Sequence, residues 1–314
     1  MQIICRGLVA AVASAGLMLG PAARGGDEAM GEIQKYREML QDGNPAELME
    51  LKGEELWTAP RGPKQATLER CDLGLGPGKL EGAYAQLPRY FADTGMVQDV
   101  ESRLVTCMMT LQGLTRQEAI RDWYKPRSDL EALVTFVAAA SKGHRIDVPA
   151  AHPKEAEAYK IGEELFYRRS GPLDFSCATC HSLEGRRIRL QDLPNFQTPA
   201  SARASLVTWP AYRVSQSTVW TMERRLIDCL RQMRWPEPDY LSEAMIALQV
   251  YLQKSANGGV MEAPGIKRCD GGPGHESEHR VPGCARLPGP SRFQRRGLTA
   301  TRRGGRAPIV LASQ

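Results

Sequence analysis

The amino-acid sequence predicts a mainly α-helical protein made of two related halves. Apolar residues recur at helical spacing through most of the stretch between residues 27 and 254, whereas strand-like alternation is rare and short. A pattern around Arg-Leu-x-x-Cys occurs twice, at residues 101–107 and 223–229. The sequence Cys-x-x-Cys-His occurs at residues 177–181 and distinguishes the second half from the first.

The predicted helices follow one another with few interruptions. Thr115 precedes one of them with Glu118 three residues later, which is a capping-box pattern. Pro236 and Pro238 separate the last two helices, and a polar linker with prolines lies at residues 144–153. The predicted helices span residues 27–41, 81–93, 97–111, 115–124, 129–140, 154–167, 219–233 and 240–254.

The sequence Cys177-Ala-Thr-Cys180-His181 is the attachment signature of a c-type haem. The two thiols can each form a thioether to one edge of the porphyrin, and the histidine then lies under the iron as an axial ligand. The alternatives are a redox dithiol and half of a zinc site. A dithiol needs no histidine at the next position, and the sequence contains no second Cys-x-x-Cys pair to complete a zinc site. We therefore expect one covalently attached haem c.

The two ends of the chain are expected to lie outside the folded domains. Residues 1–24 have the pattern of a secretory signal peptide, in which Arg6 precedes a short apolar run and small residues follow. Residues 269–314 are rich in glycine, proline and arginine and lack apolar periodicity, which is typical of a disordered or spurious basic tail. We expect no membrane span after the signal peptide, and we predict an exported, periplasmic protein.

The formal net charge of +5 is concentrated in the tail, because residues 269–314 hold eight arginines, no lysine and three acidic residues. Residues 25–268 hold 31 basic and 33 acidic residues and are close to neutral. We therefore expect no nucleic-acid-binding surface in the folded part.

The repeated pattern indicates an internal duplication. The sequence Glu101-Ser-Arg103-Leu-Val-Thr-Cys107 matches Glu223-Arg-Arg225-Leu-Ile-Asp-Cys229, and a further cysteine precedes each copy. We predict two cytochrome c-like domains, at residues 25–148 and 149–268, of which only the second binds haem.

The first domain lacks the haem-attachment signature. It has Cys71-Asp-Leu-Gly-Leu75 in the corresponding place, without the second thiol and the histidine. Cys71 and Cys107 are left as a pair in an oxidising compartment, where a disulfide would stabilise the fold by about 3–4 kcal/mol. Two free, buried cysteines are the alternative.

Cys229 has three interpretations: a small buried apolar residue, a disulfide partner of another chain or of a cysteine in the tail, or the second axial ligand of the haem. Met222 and Met233 flank it and are alternative ligands. Arg225 precedes Cys229 by one helical turn, so both lie on one face, where a guanidinium would favour a thiolate and hold an oxyanion. A structural arginine, shared with Arg103, is the alternative.

Three stretches of the second half resemble the SoxA subunits of SoxAX cytochrome complexes. They are Cys177-Ala-Thr-Cys-His181, Thr208-Trp-Pro-Ala-Tyr-Arg213 and Glu223-Arg-Arg-Leu-Ile-Asp-Cys229-Leu-Arg-Gln-Met-Arg-Trp-Pro-Glu237. The resemblance runs from about Glu32 to Gly265, and the tail after Arg268 has no counterpart in the family.

The resemblance implies a periplasmic L-cysteine S-thiosulfotransferase that pairs with a SoxX-like c-type cytochrome. Such a complex oxidatively couples thiosulfate to a cysteine of the SoxY subunit in the carrier protein SoxYZ. A simple electron-transfer cytochrome is the alternative function, and a haem-based sensor is a more distant one.

The resemblance also implies roles for individual residues. Cys177 and Cys180 hold the haem covalently, and His181 is its proximal ligand. Cys229 is the distal ligand and the catalytic cysteine persulfide, and Arg225 binds the substrate. Because the segment at Cys71 departs from the two-haem pattern of some members, the chain resembles the single-haem type, with Cys71 and Cys107 bridged.

Overall fold

Helices dominate the described part of the chain, as the sequence predicts. The computed structural model describes residues 31–32, 35–36, 39, 43–188 and 191–267. The predicted signal peptide (1–24) and basic tail (269–314) lie outside the described residues. The α-helices are α1 (Glu47–Thr58), α2 (Val100–Cys107), α3 (Arg116–Ile120), α4 (Asp129–Ala139), α5 (Pro153–Tyr167), α6 (Cys177–His181), α7 (Pro199–Leu206), α8 (Met222–Gln232) and α9 (Glu243–Ser255).

The strands are short and form three small sheets. β1 pairs with β2 and β3 with β4, in each case antiparallel, while β5 lies between antiparallel β6 and parallel β7. The β5–β6 hairpin leads directly into α8, so the sheet and that helix share one part of the second half. The strands are β1 (Arg89–Phe91), β2 (Met96–Gln98), β3 (Arg187–Ile188), β4 (Gln191–Asp192), β5 (Ala211–Arg213), β6 (Thr218–Trp220) and β7 (Gly265–Ile266).

Helix α3 begins with the predicted capping box. The Thr115 hydroxyl accepts a hydrogen bond from the Glu118 backbone N–H at 3.2 Å, and the Glu118 carboxylate accepts one from the Thr115 N–H at 2.8 Å. These bonds satisfy donors that a helix N-terminus otherwise leaves unpaired. This part of the sequence prediction is confirmed.

The predicted helix over residues 81–93 is wrong. The segment forms a short 3₁₀ turn (Tyr84–Gln86) followed by strand β1. Pro88 lies in its middle, and proline lacks the N–H that a helix interior requires and disfavours the α conformation in the residue before it. Helices α1 and α7 were not predicted, and the helix predicted from residue 219 begins at Met222 because residues 218–220 pair in β6.

In both halves a glycine allows two helices to pack closely. In the first half α1 packs on α4, and in the second half α5 packs on α9. A Cβ atom at Gly53 of α1 would collide with the carbonyl oxygen of Ala132, and one at Gly162 of α5 would collide with that of Ala247. Glycine is therefore required at the crossing in each half. This correspondence agrees with an internal duplication.

The two halves share one apolar core and belong to one compact unit. Buried polar side chains also join them. The Gln249 amide donates to the carboxylates of Asp99 at 2.9 Å and Glu223 at 2.7 Å, while the Tyr240 hydroxyl donates to Glu101 at 2.5 Å. Burial, followed by the charge of Asp99, raises the pKa of Glu101 to about 8.

Within the described ranges, no helix combines the length and the hydrophobicity that crossing a bilayer would require. The bounds of the two predicted domains, 25–148 and 149–268, stay predictions.

Candidate active site

Helix α6 presents the Cys-x-x-Cys-His segment with a defined histidine tautomer. The Ser176 side chain accepts a hydrogen bond from the Thr179 N–H at 3.1 Å and so caps the helix. His181 Nδ1 lies 2.8 Å from the carbonyl oxygen of Pro194, which can only accept, so Nδ1 carries the proton and Nε2 keeps its lone pair. Burial lowers the pKa of His181 to about 4. The imidazole is therefore neutral at pH 7, as a metal ligand must be.

The thiols of Cys177, Cys180 and Cys229 are free. Burial, followed by the neighbouring charge of Cys229, raises the pKa of Cys177 to about 12. The pKa of Cys180 is raised by the same two causes in the same order. Helix α8 thus brings Cys229 within electrostatic reach of both thiols of α6.

An apolar cavity adjoins the haem-attachment segment and opens beside Cys177. Its other lining residues are Leu165, Leu230, Trp235, Pro236, Pro238, Ala244, Met245 and Leu248. A covalently attached haem needs two free thiols, a neutral imidazole with an available nitrogen, and an apolar wall. The residues present therefore fit the predicted cofactor.

Arg225 lies one turn before Cys229 on α8 and faces the same region. Its Nη1 atom donates to Asp228 Oδ2 at 3.0 Å, and its side chain is 16% exposed. The charge of Arg225 also contributes, after burial, to the low pKa of His181. The guanidinium therefore lies near the imidazole as well as near Cys229.

Arg213, at the end of β5, is a site residue to which the sequence analysis assigned no role. Its guanidinium lies over the ring of Trp220, with 4.1 Å from Cζ to the ring centroid, and its Nη1 atom is 3.9 Å from Asp228 Oδ2. Burial, followed by the charge of Arg225, lowers the pKa of Arg213 to about 10. Neither helical spacing nor the repeat links Arg213 to Cys229 in the sequence, because the approach depends on the fold.

The linker histidine His152 and the two methionines that flank Cys229 make other contacts. The His152 side chain caps α5 by accepting from the Lys154 N–H at 3.2 Å, and it stacks on Tyr90 at 3.7 Å between ring centroids. Met222 and Met233 are buried in the apolar core. In the part of the chain that the structure describes, no group of three His, Cys, Asp or Glu side chains has the arrangement of a metal site of the zinc type.

The corresponding residues of the first half have different partners. Cys107 forms a disulfide with Cys71, with 5.6 Å between their Cα atoms. Arg103 Nε donates to the Asp72 carbonyl at 2.6 Å, and its Nη1 atom contacts both carboxylate oxygens of Asp93 at 2.8 and 2.9 Å. Arg103 is therefore a structural residue that holds the loop after Cys71.

Comparison with known proteins places this arrangement in a family. The SoxA/TsdA cytochrome c domain model matches residues 52–146 and 161–261, one stretch in each half. The chain belongs to the SoxA/TsdA cytochrome c family.

Two relatives named L-cysteine S-thiosulfotransferase subunit SoxA illustrate the similarity. The relative from Hydrogenophilus thermoluteolus is 54% identical over 238 residues, which cover 75% of this chain and 87% of the relative. A relative from Hydrogenobacter thermophilus is 36% identical over 241 residues, covering 76% of this chain and 88% of the relative.

The SoxA fold is also seen in a solved structure. The crystal structure of SoxXA from P. pantotrophus matches with a TM-score of 0.63 and 24% identity, covering 74% of this chain and 84% of the matched chain. At this identity the match establishes a common fold.

Proposed function

We propose that this chain is the haem-bearing subunit of a periplasmic L-cysteine S-thiosulfotransferase. Its partner is a SoxX-like c-type cytochrome, and its substrates are thiosulfate and a cysteine of a SoxYZ-like carrier protein. The names of relatives at 54% and 36% identity support the activity. The observation that carries the proposal is the position of Cys229, a free thiol beside the haem-attachment cysteines with Arg225 one turn away.

One haem c is proposed, held by thioethers to Cys177 and Cys180 and by His181 as the proximal ligand. The Pro194 carbonyl fixes the ring of His181 so that Nε2 points away from that hydrogen bond. Cys229 is proposed as the distal ligand. The first half has no equivalent thiols to offer, since Cys71 and Cys107 are bonded to each other.

The reaction joins the outer sulfur of thiosulfate to the sulfur of the carrier cysteine. A sulfur–sulfur bond forms, the carrier thiol loses its proton, and two electrons leave to c-type cytochrome. When bound, the haem supplies the route by which these electrons depart. Cys229, as a persulfide, forms a sulfur–sulfur bond to the outer sulfur of thiosulfate as the two electrons leave. The carrier thiolate then attacks that outer sulfur and the Cys229 persulfide departs as the leaving group, as in thiol–disulfide exchange.

Arg225 is proposed to bind the sulfonate oxygens of thiosulfate. A guanidinium offers planar, forked donors that match such oxygens, and partial burial strengthens the interaction relative to water. Its present partner, Asp228, orients the guanidinium before the substrate binds. The positive charge of the guanidinium attracts the dianion and gives no such attraction to neutral competitors.

The test is identification of the product on the carrier. The haem-loaded complex, oxidised cytochrome c, thiosulfate and the reduced carrier are mixed, and the carrier is analysed by intact mass. We expect a gain of one thiosulfate-derived group on the carrier cysteine and reduction of cytochrome c. Reduction of the haem without modification of the carrier would indicate an electron-transfer cytochrome instead.

A further inference from the structure

Arg213 has hydrogen-bonding capacity that the described residues do not satisfy. Its Nε and Nη1 atoms are buried without a hydrogen-bond partner, and the residue is 9% exposed. A buried guanidinium without acceptors costs free energy, because it has lost the hydrogen bonds that water provided. Buried donors of this kind are retained in a fold where a bound ligand accepts their hydrogen bonds.

Arg103 shows how this protein pairs the hydrogen-bond donors of an arginine that has no ligand to bind. It is also buried and also lies over an aromatic ring, with 4.0 Å from its Cζ to the centroid of Phe91. Its nitrogens donate to the Asp72 carbonyl and to the Asp93 carboxylate. Arg213 has the same stacking arrangement on Trp220 without these hydrogen bonds.

Asp228 does not neutralise the site, because two guanidinium groups share it. Its Oδ2 atom already accepts from Arg225 Nη1 at 3.0 Å and from Gln232 Nε2 at 2.7 Å. Arg213 Nη1 remains 3.9 Å away, beyond hydrogen-bond distance. Two positive charges therefore adjoin one carboxylate beside Cys229, and an anion is the ligand that such a site attracts.

We propose that Arg213 is a second substrate-binding residue, whose guanidinium acts with that of Arg225 to bind the sulfonate end of thiosulfate beside Cys229. The proposal rests on the proposed function. The Arg213 side chain as a whole is 10% exposed, so an entering anion can reach it. Two guanidinium groups can bind different oxygens of one sulfonate, which fixes the direction of the outer sulfur.

The test compares Arg213→Gln and Arg213→Lys in the haem-loaded complex with its cytochrome partner. Arg231→Gln is the matched control, because Arg231 lies on α8 but is 60% exposed and pairs with Glu237. Steady-state rates are measured against thiosulfate concentration, with sulfate as an inert competing anion at constant ionic strength. We expect Arg213→Gln to raise KM for thiosulfate about tenfold or more and to weaken inhibition by sulfate similarly. Arg231→Gln should change neither.

A carboxylate of the haem is the other anion that Arg213 could bind, and the reduction potential distinguishes the two. If Arg213→Gln shifts the haem reduction potential but leaves KM and sulfate inhibition unchanged, Arg213 binds the haem and the proposal is wrong. If the reduction potential, KM and sulfate inhibition are all unchanged, the proposal is also wrong. A raised KM with weakened sulfate inhibition supports it.

The lysine variant decides the matter if Arg213→Gln does not fold or does not retain haem. Lysine keeps the charge but lacks the planar forked donor, so a smaller rise in KM is expected. If the folded lysine variant binds thiosulfate and sulfate as the wild type does, the proposal is wrong. The proposed function fails separately, if the wild-type complex leaves the carrier unmodified.

Discussion

The two halves of the molecule place glutamate, arginine and cysteine at the same positions of corresponding helices. In the first half, Cys107 is closed in a disulfide and Arg103 is held by Asp72 and Asp93. In the second half, Cys229 is a free thiol, and Arg225 contacts one carboxylate that Arg213 also approaches. The same pattern thus stabilises a loop in one half and leaves an unbonded thiol beside two arginines in the other.

The difference depends on the segment that faces each helix. Cys71 lies opposite Cys107 and forms a bond to it, whereas the two thiols of α6 have haem attachment as their proposed role. Once those thiols are engaged, Cys229 has no cysteine partner in the described ranges. We infer that the second half keeps chemical function because its cysteine is not paired.

The largest expected effect separates the two cysteines. Cys229→Ala should lower the rate of thiosulfate coupling about a thousandfold or more, because it removes the sulfur that carries the intermediate. The double variant Cys71→Ser/Cys107→Ser should keep the wild-type rate per haem. Rates are measured as cytochrome c reduction in the presence of carrier. Equal rates for wild type and Cys229→Ala would contradict the role of Cys229.

The two arginines should differ in the kind of effect. Arg225→Gln should raise KM for thiosulfate by about tenfold to a hundredfold, because it removes charge-assisted hydrogen bonds to the substrate. Arg103→Gln should leave KM unchanged and lower the free energy of unfolding by about 2 kcal/mol, since its partner Asp93 is half-exposed and solvent screens the pair. The measurements are steady-state kinetics and urea unfolding. A raised KM for thiosulfate in Arg103→Gln would contradict the assignment of substrate binding to Arg225 and of a structural role to Arg103.

The disulfide should matter for stability and not for the cofactor. Cys71 and Cys107 are 36 residues apart, so their bond should stabilise the protein by about 3–4 kcal/mol through its effect on the unfolded chain. The double serine variant should lose that amount in urea unfolding and should keep one haem by intact mass. A variant that gains a second haem, or loses its haem, would show that the first half is not independent of the cofactor.

The smallest effect concerns the buried carboxyl groups that join the halves. Burial, then the charge of Asp99, raises the pKa of Glu101 from 4.5 to about 8. Between these values the folded state holds a proton that the unfolded state has released. The contribution of Glu101 to the free energy of unfolding is therefore fully present below pH 4.5 and is lost as the pH rises toward 8.

Glu101→Gln should remove this dependence. Relative to the variant, the wild type should lose about 1 kcal/mol of unfolding free energy per pH unit between pH 5.5 and 7.5. Urea unfolding at several pH values measures both slopes. Parallel slopes would mean that Glu101 has an ordinary pKa in the folded protein.

The sequence predicted the features that depend on short-range pattern. The capping box at Thr115 and the helix that carries Arg225 and Cys229 follow from local spacing. The helical class followed from periodicity, and the structure agrees with it. The two cytochrome c domains followed from the repeat, and the family match agrees with them. The assignment of haem to the second half alone remains a prediction, carried by the motif at Cys177.

The sequence did not predict features that tertiary packing decides. Helices α1 and α7 have weak local signals, and their burial against neighbouring elements stabilises them. The segment around Pro88 has a helical apolar pattern that the proline overrides. Arg213 approaches Asp228 and Cys229 only because the β5–β6 hairpin and α8 fold against each other.

The measurement that tests the central claim most directly is the electron paramagnetic resonance spectrum of the oxidised, haem-loaded protein, wild type beside Cys229→Ala. We predict a low-spin signal of the sulfur-ligated type in the wild type that is absent from the variant. Identical spectra of the histidine–methionine or bis-histidine type would contradict the claim, because Cys229 would then not lie on the iron.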